Sequence, residues 1–194
     1  MARTKIMSNM FQEHGVILRL WVVLGKILAV CKESRLNSAH IRELLPVMID
    51  YVDACHHAKE EAHLFPALRA KNLGDDSRLI SELISEHERS RKMLAEIASA
   101  TQAENVHACT IYIPKYRELI FTHIGKEGPF FARMEDEISQ GEDDRIFLGF
   151  VEIEEKNVGL GAREKTLDQI KRVERVYETV KLDPRLYRPA QGES

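Results

Sequence analysis

Two stretches decide the fold: His57-Ala58-Lys59-Glu60-Glu61-Ala62-His63-Leu64-Phe65 and His123-Ile124-Gly125-Lys126-Glu127-Gly128-Pro129-Phe130-Phe131. Both read H-x-x-x-E-x-x-[LF]-F. On an α-helix positions i and i+4 share a face, so each stretch presents an imidazole and a carboxylate one turn apart, above a large apolar pair. A helix of this kind turns polar chemistry toward a core.

Outward from these stretches, apolar residues recur at three and four positions almost everywhere, and no sustained period-2 run occurs, which predicts an all-α chain. Breaks at Glu33 to Asn37, Asn72 to Asp76, Thr101 to Asn105, Gln140 to Asp143 and Gly159 to Gly161 divide it into four long helices followed by shorter ones. Asn37, Asp76 and Asn105 are cap candidates, because their side-chain oxygens accept from the first free backbone amides. Short connections between long helices favour antiparallel neighbours. The expected architecture is an up-down-up-down four-helix bundle over residues 1–140. Residues 141–194 form a helical extension packed on it, with helical stretches between Asp144 and Lys181, the second from Arg163 to Lys181, and a polar tail. Pro46 and Pro114 lie near helix starts, whereas Pro66 and Pro129 lie deeper and are expected to bend or end their helices.

Composition sets the outer limits. The chain has 194 residues, 44% of them hydrophobic and 30% charged, which suits a globular core without disulfide support. A net charge of −3 from 28 basic and 31 acidic residues gives no footprint for nucleic acid. Cys31, Cys55 and Cys109 show no C-x-x-C spacing, and an odd count fits a reducing, cytoplasmic setting. Basic residues before the apolar run Val16 to Val30 and the sequence Leu28-Ala29-Val30-Cys31 superficially suggest a targeting signal. Arg19 and Lys26 interrupt that run, so neither a processed signal nor a membrane span is expected.

The other two long helices carry Glu13-His14 and Glu86-His87. His14 aligns with Ile17, Leu18 and Trp21, His87 with Leu83, Ile84 and Leu94, and His123 with Tyr116, Leu119 and Ile120. Buried carboxylates and imidazoles without partners would be destabilising, and a metal supplies the compensation. Bundle cores host two-metal sites with donors of this kind. The expected set is His14, His57, His87 and His123 as terminal ligands, with Glu61 and Glu127 bridging. Such donors suit iron, zinc or manganese, and the coordination positions they leave open imply a small exogenous ligand.

His14, His57 with Glu61, His87, and His123 with Glu127, one piece per predicted helix, give a pattern that resembles the hemerythrin-like (HHE cation-binding) family over residues 8 to 140. The resemblance implies a cofactor of two non-haem iron ions that binds or reduces a small ligand such as O2, NO or peroxide. Family members range over nitric oxide handling, peroxide chemistry, iron–sulfur repair and iron or oxygen sensing, so a sensing or regulatory module without turnover is the alternative. The oxygen carriers of the family have an H-x-x-x-H pair on the third helix. Here that helix reads His87-Glu88-Arg89-Ser90-Arg91, and Arg91 cannot ligate a cation, so the chain resembles the four-histidine, two-glutamate variety. Any redox turnover draws electrons from a separate donor or protein partner.

His56 with Glu60 also satisfies H-x-x-x-E. The large apolar pair follows Glu61 at the offset at which it follows Glu127, and a one-residue slip turns a helix by about 100°, so the preferred pair is His57 with Glu61. His56 is then expected at the surface or behind the ligands. His40, His63 and His107 are expected as solvated or capping residues. Tyr116 is placed to bond a bridging oxygen or simply to pack. Asp50 and Asp53 are placed either to orient a ligand imidazole or to lie on a plain solvated face, and Arg91 to neutralise a bridging glutamate or to pair with Glu13 or Glu88.

Overall fold

The computed structural model describes residues 4–31, 38–71 and 76–182. Helix α1 spans Lys5–Ala29. Helix α2, Ser38–Pro46, runs on into π-helical turns over Val47–His57 and Glu60–Leu64 and then into α3, Phe65–Ala70. Helices α4, Asp76–Gln102, and α5, Val106–Met134, pack along their length as the most extensive helix pair. After a 3₁₀ turn at Glu135–Glu137 come α6, Gln140–Asn157, and α7, Ala162–Val176. No strand occurs among the described residues, so the chain is all-α. Among them no helix is long and apolar enough to cross a membrane.

Local side-chain chemistry fixes several helix ends. Asn105 caps α5 by accepting from the Ala108 amide. Ser139 and Glu142 close a reciprocal capping box on α6. Gly159 and Gly161 both take positive φ, 81° and 74°, in the turn between α6 and α7. Asp76 opens α4, and Asn37 lies outside the described residues. Helix α7 ends at Val176 rather than at Lys181.

The prolines act differently from one another. Pro129 does not end α5, which runs five residues further, to Met134. Helix α2, the π turns and α3 make one continuous rod, the second of four whose others are α1, α4 and α5; in it Pro46 marks the change from α to π backbone, and Pro66 sits at the start of α3, where α geometry returns. A proline lacks the amide that would continue either ladder, and the two residues bracket a π segment that the residue pattern does not announce.

The core has two apolar layers. One contains Ile17, Leu20, Trp21, Tyr51, Ile97, Ile113 and Tyr116, and α7 adds Ile170 and Val173. The other contains Ile6, Met10, Leu64, Phe65, Leu83, Phe130 and Phe131, and α6 adds Ile146 and Phe150. Each of the four rods crosses from one layer to the other, and at each crossing its inward residues are polar. His14 lies between Met10 and Val16, and His56 to Glu60 lie between Val52 and Leu64. His87 lies between Leu83 and Leu94, and His123 and Glu127 lie between Ile120 and Phe130.

Helix α6 also completes α1. The buried Asp143 carboxylate accepts from the Lys5 and Ile6 amides, each at 3.0 Å, and so caps α1 from across the chain. Those amides have no partner inside their own helix. Asp143→Ala is therefore expected to cost about 1–2 kcal/mol, read as a lower urea midpoint with an unchanged slope.

Candidate metal centre

Seven side chains meet in the polar layer: His14, His56, His57, Glu60, His87, His123 and Glu127, none more than 3% exposed. They fall into two groups of donors. The donor atoms of His14, His56, Glu60 and Glu127 lie within 4.8 Å of one another, as do those of Glu60, His87, His123 and Glu127 and those of His57, His87 and His123. The two glutamates belong to both ends. Glu60 Oε1 lies 3.5 Å from His56 Nε2 while its Oε2 lies 3.3 Å from His87 Nε2. Glu127 Oε2 lies 3.2 Å from His14 Nε2 while its Oε1 lies 2.9 Å from His123 Nε2. One end therefore has two imidazoles, the other three, with a carboxylate spanning the gap on each side.

Behind the imidazoles lies a second pattern. His56 Nδ1 donates to Glu13 at 2.8 Å, His57 Nδ1 to Asp53 at 3.3 Å, His87 Nδ1 to Glu61 at 2.7 Å and His123 Nδ1 to Glu86 at 3.0 Å. A carboxylate on Nδ1 fixes the tautomer that leaves Nε2 bare and aims it inward. The Nε2 atoms of His87 and His123 then face each other at 3.0 Å. Two ring nitrogens at that distance are held either by a shared proton or by a cation beside them.

Charge in the layer is correspondingly tense. Burial opposes ionisation of Glu127, but His123 and His14 hold its carboxyl well below the usual range. Burial also opposes a charge on His123, yet Glu127 and Glu86 push it up to about 10. His57, with burial and the neighbouring His87 and His123 acting together, is held well below its ordinary value. The orphaned polar atoms of the described core concentrate here: both carboxylate oxygens of Glu60 and of Glu127, both ring nitrogens of His14, and His56 Nε2 lack a well-formed hydrogen bond. Buried polar atoms in such density call for another partner, and this donor set fits a bound metal cation.

Of the six residues singled out from the sequence, His14, His57, His87, His123 and Glu127 meet in the layer and Glu61 does not. Glu61 is partly exposed and accepts from His87 Nδ1 on the outer side of that ring, where Arg91 also binds it at 2.5 Å. Its expected place is taken by Glu60, and His56, expected at the surface or behind the ligands, is buried among the donors. The cause is the π turn. In α5 the inward aromatic Phe131 follows Glu127 by four residues, one α turn. In the second rod the Phe65 amide bonds the Glu60 carbonyl, five residues back, so the extra residue of a π turn moves the matching acid from Glu61 to Glu60. Matching the two stretches residue for residue assumes one helical pitch for both.

The remaining residues resolve as follows. Arg91 bridges Asp53 at 2.9 Å and Glu61, and so braces the carboxylates behind His57 and His87. Asp53 orients an imidazole and Asp50 is exposed. Tyr116 packs on Trp21 and its hydroxyl accepts from Ser90 at 3.2 Å, outside the donor set. His40 bonds the Tyr177 hydroxyl at 2.7 Å, His107 is exposed, and His63 lies against Gly149 and Phe150 of α6. Glu13 and Glu86 each support a histidine of another helix and not their own neighbour, a pairing that spacing along the chain does not show.

Residues 6–128 match the hemerythrin HHE cation binding domain family. No curated protein and no solved structure matches the chain.

Proposed function

Because the chain belongs to the hemerythrin HHE cation-binding family, we propose that its polar layer holds two iron ions bridged by Glu60 and Glu127, and that the centre binds or reduces a small ligand such as O2, NO or peroxide. The observation that carries this reading is the division of each glutamate's oxygens between the two histidine groups. A carboxylate placed with one oxygen toward each group can bridge two cations, which a carboxylate with both oxygens at one end cannot do. Bound iron would supply a redox-active Lewis acid to the incoming ligand.

The chain's own residues set the rest. His14 and His56 form the donor-poor end and His57, His87 and His123 the donor-rich end, so the exogenous ligand is expected on the His14 and His56 side. Five histidines, not four, enter this reading: His57 on the second rod supplies the donor that Arg91 fails to supply on α4. Phe131 stacks on His14 with ring centroids 6.3 Å apart and Phe65 on His87 at 5.8 Å. These apolar walls exclude water from both ends and keep the imidazoles from turning.

Elemental analysis of protein purified without chelator, with an optical spectrum alongside, tests the proposal. Two irons per chain are expected, with near-ultraviolet bands of a bridged ferric pair that shift on adding nitric oxide or peroxide. One zinc per colourless chain would sink it. His40→Ala serves as the control and is expected to leave the metal content unchanged.

A further inference from the structure

Lys59 is the one lysine among the described residues that is wholly buried, at 0% exposure. Its ammonium lies 2.5 Å from Glu13 Oε1, 3.1 Å from Glu154 Oε2 and 3.5 Å from Asn9 Oδ1. Glu13, itself 1% exposed, turns its other oxygen to His56 Nδ1 at 2.8 Å. Glu154 belongs to α6 and turns its other oxygen to the Ala162 amide, the first of α7, at 3.3 Å. A continuous chain of charge-assisted hydrogen bonds thus runs from the α6–α7 turn to the back of one imidazole in the polar layer.

A buried ammonium between two carboxylates is retained only where its geometry is held tightly, since each charge loses its hydration and depends on the others. The consequence falls on Glu13. Its carboxylate has two rotatable side-chain bonds beyond Cβ, and what keeps one oxygen on His56 is that the other is fixed by Lys59. What keeps Lys59 extended toward Glu13, with its ammonium over the Phe150 ring at 5.8 Å from the centroid, is Glu154.

We propose that Lys59 and Glu154 are positioning residues for His56, acting through Glu13, so that helix α6, outside the family-matched residues 6–128, sets the geometry of one end of the metal centre. The proposal rests on the reading that His56 is a metal ligand. It makes the C-terminal helices a working part of the centre: a partner or a modification that shifts α6 changes cation affinity at the His14 and His56 end and leaves the His57, His87 and His123 end alone.

The test uses the full chain stripped of metal and titrated with cobalt(II), whose visible d–d bands report the ligand field without any turnover. Lys59→Met leaves Glu13 buried without a counter-charge and risks the fold, so the informative variant is Glu154→Ala, at a partly exposed position. It is expected to weaken one of the two cobalt equivalents by roughly 10–100-fold and to alter that equivalent's bands, with Glu154→Gln in between because its amide oxygen still accepts from Lys59. Glu174→Ala is the structural control. Glu174 binds Arg19 at 2.6 Å and fastens α7 to α1 away from the donor set, so this variant should lower the melting temperature and leave both equivalents and their bands intact. If Glu154→Ala behaves like Glu174→Ala while His56→Ala loses one equivalent, the positioning role is overturned and the ligand assignment stands. If His56→Ala keeps both equivalents, the ligand assignment fails and the positioning role fails with it.

Discussion

Glu60→Ala is expected to abolish two-metal loading, whereas Glu61→Ala, one residue on, is expected to keep two equivalents bound with affinity lowered roughly 10–100-fold. Adjacent acids differ this much because they stand on opposite sides of the His87 ring. Glu60 is wholly buried and lies 3.3 Å from the inward Nε2, and Glu61 is partly exposed and holds the outward Nδ1 at 2.7 Å. Removing Glu60 takes an oxygen from each end of the centre at once. Removing Glu61 leaves the donors in place and frees one ring to turn or to change tautomer. Metal content by elemental analysis, with competition against a chelator of known affinity, separates the two. Two equivalents retained in Glu60→Ala, with loading lost in Glu61→Ala, would reverse the assignment and show that the second rod presents an α face, not a π face, to the centre. Glu127→Gln should match Glu60→Ala, since Glu127 divides its oxygens in the same way.

The helices, their order and most of the buried polar layer are legible in the residues. An apolar period of three to four survives in every rod, and His14, His87 and His123 sit in register with Ile17, Leu83 and Ile120 on stripes that have no other reason to be interrupted. Asn105, Ser139 and the Gly159 to Gly161 turn mark boundaries by chemistry that acts within one turn of chain. What is not legible is pitch. Two H-x-x-x-E frames overlap at His56-Glu60 and His57-Glu61, and a choice between them by offset from Phe65 holds only for α backbone. The available hint was the pair Pro46 and Pro66 flanking both frames. The π turns also explain how His56 and His57, neighbours in sequence, both reach the interior. The supports were hidden for another reason. Glu13 serves His56, Glu86 serves His123 and Glu154 serves Lys59, and each of these pairings crosses from one rod to another, where spacing along the chain carries no information.

Stripping the metal is expected to lower the melting temperature by roughly 10 °C while leaving the helical circular dichroism near its starting value. Binding at a free cation concentration about 1,000 times the dissociation constant stabilises the folded state by about 4 kcal/mol. For a chain of this size each kcal/mol moves the midpoint by about 2–4 °C. The helices should persist because the apolar layers around Trp21 and Tyr116 on one side and Phe65, Phe130 and Phe131 on the other are contiguous without the polar layer. That layer is the weak plane of the stripped protein. Glu60 and Glu127 must then be balanced by protons on buried imidazoles, and buried ion pairs of this kind roughly break even against the hydration they lose. Iron(II) should restore the midpoint, and magnesium should not, because a hard, oxygen-seeking ion gains little from imidazole. Equal midpoints with and without chelator, on protein shown to have released its metal, would mean that protein–protein contacts alone satisfy the layer. The seven donors would then be a structural polar network in a helical bundle, and the division of the two glutamates between its ends would need another cause.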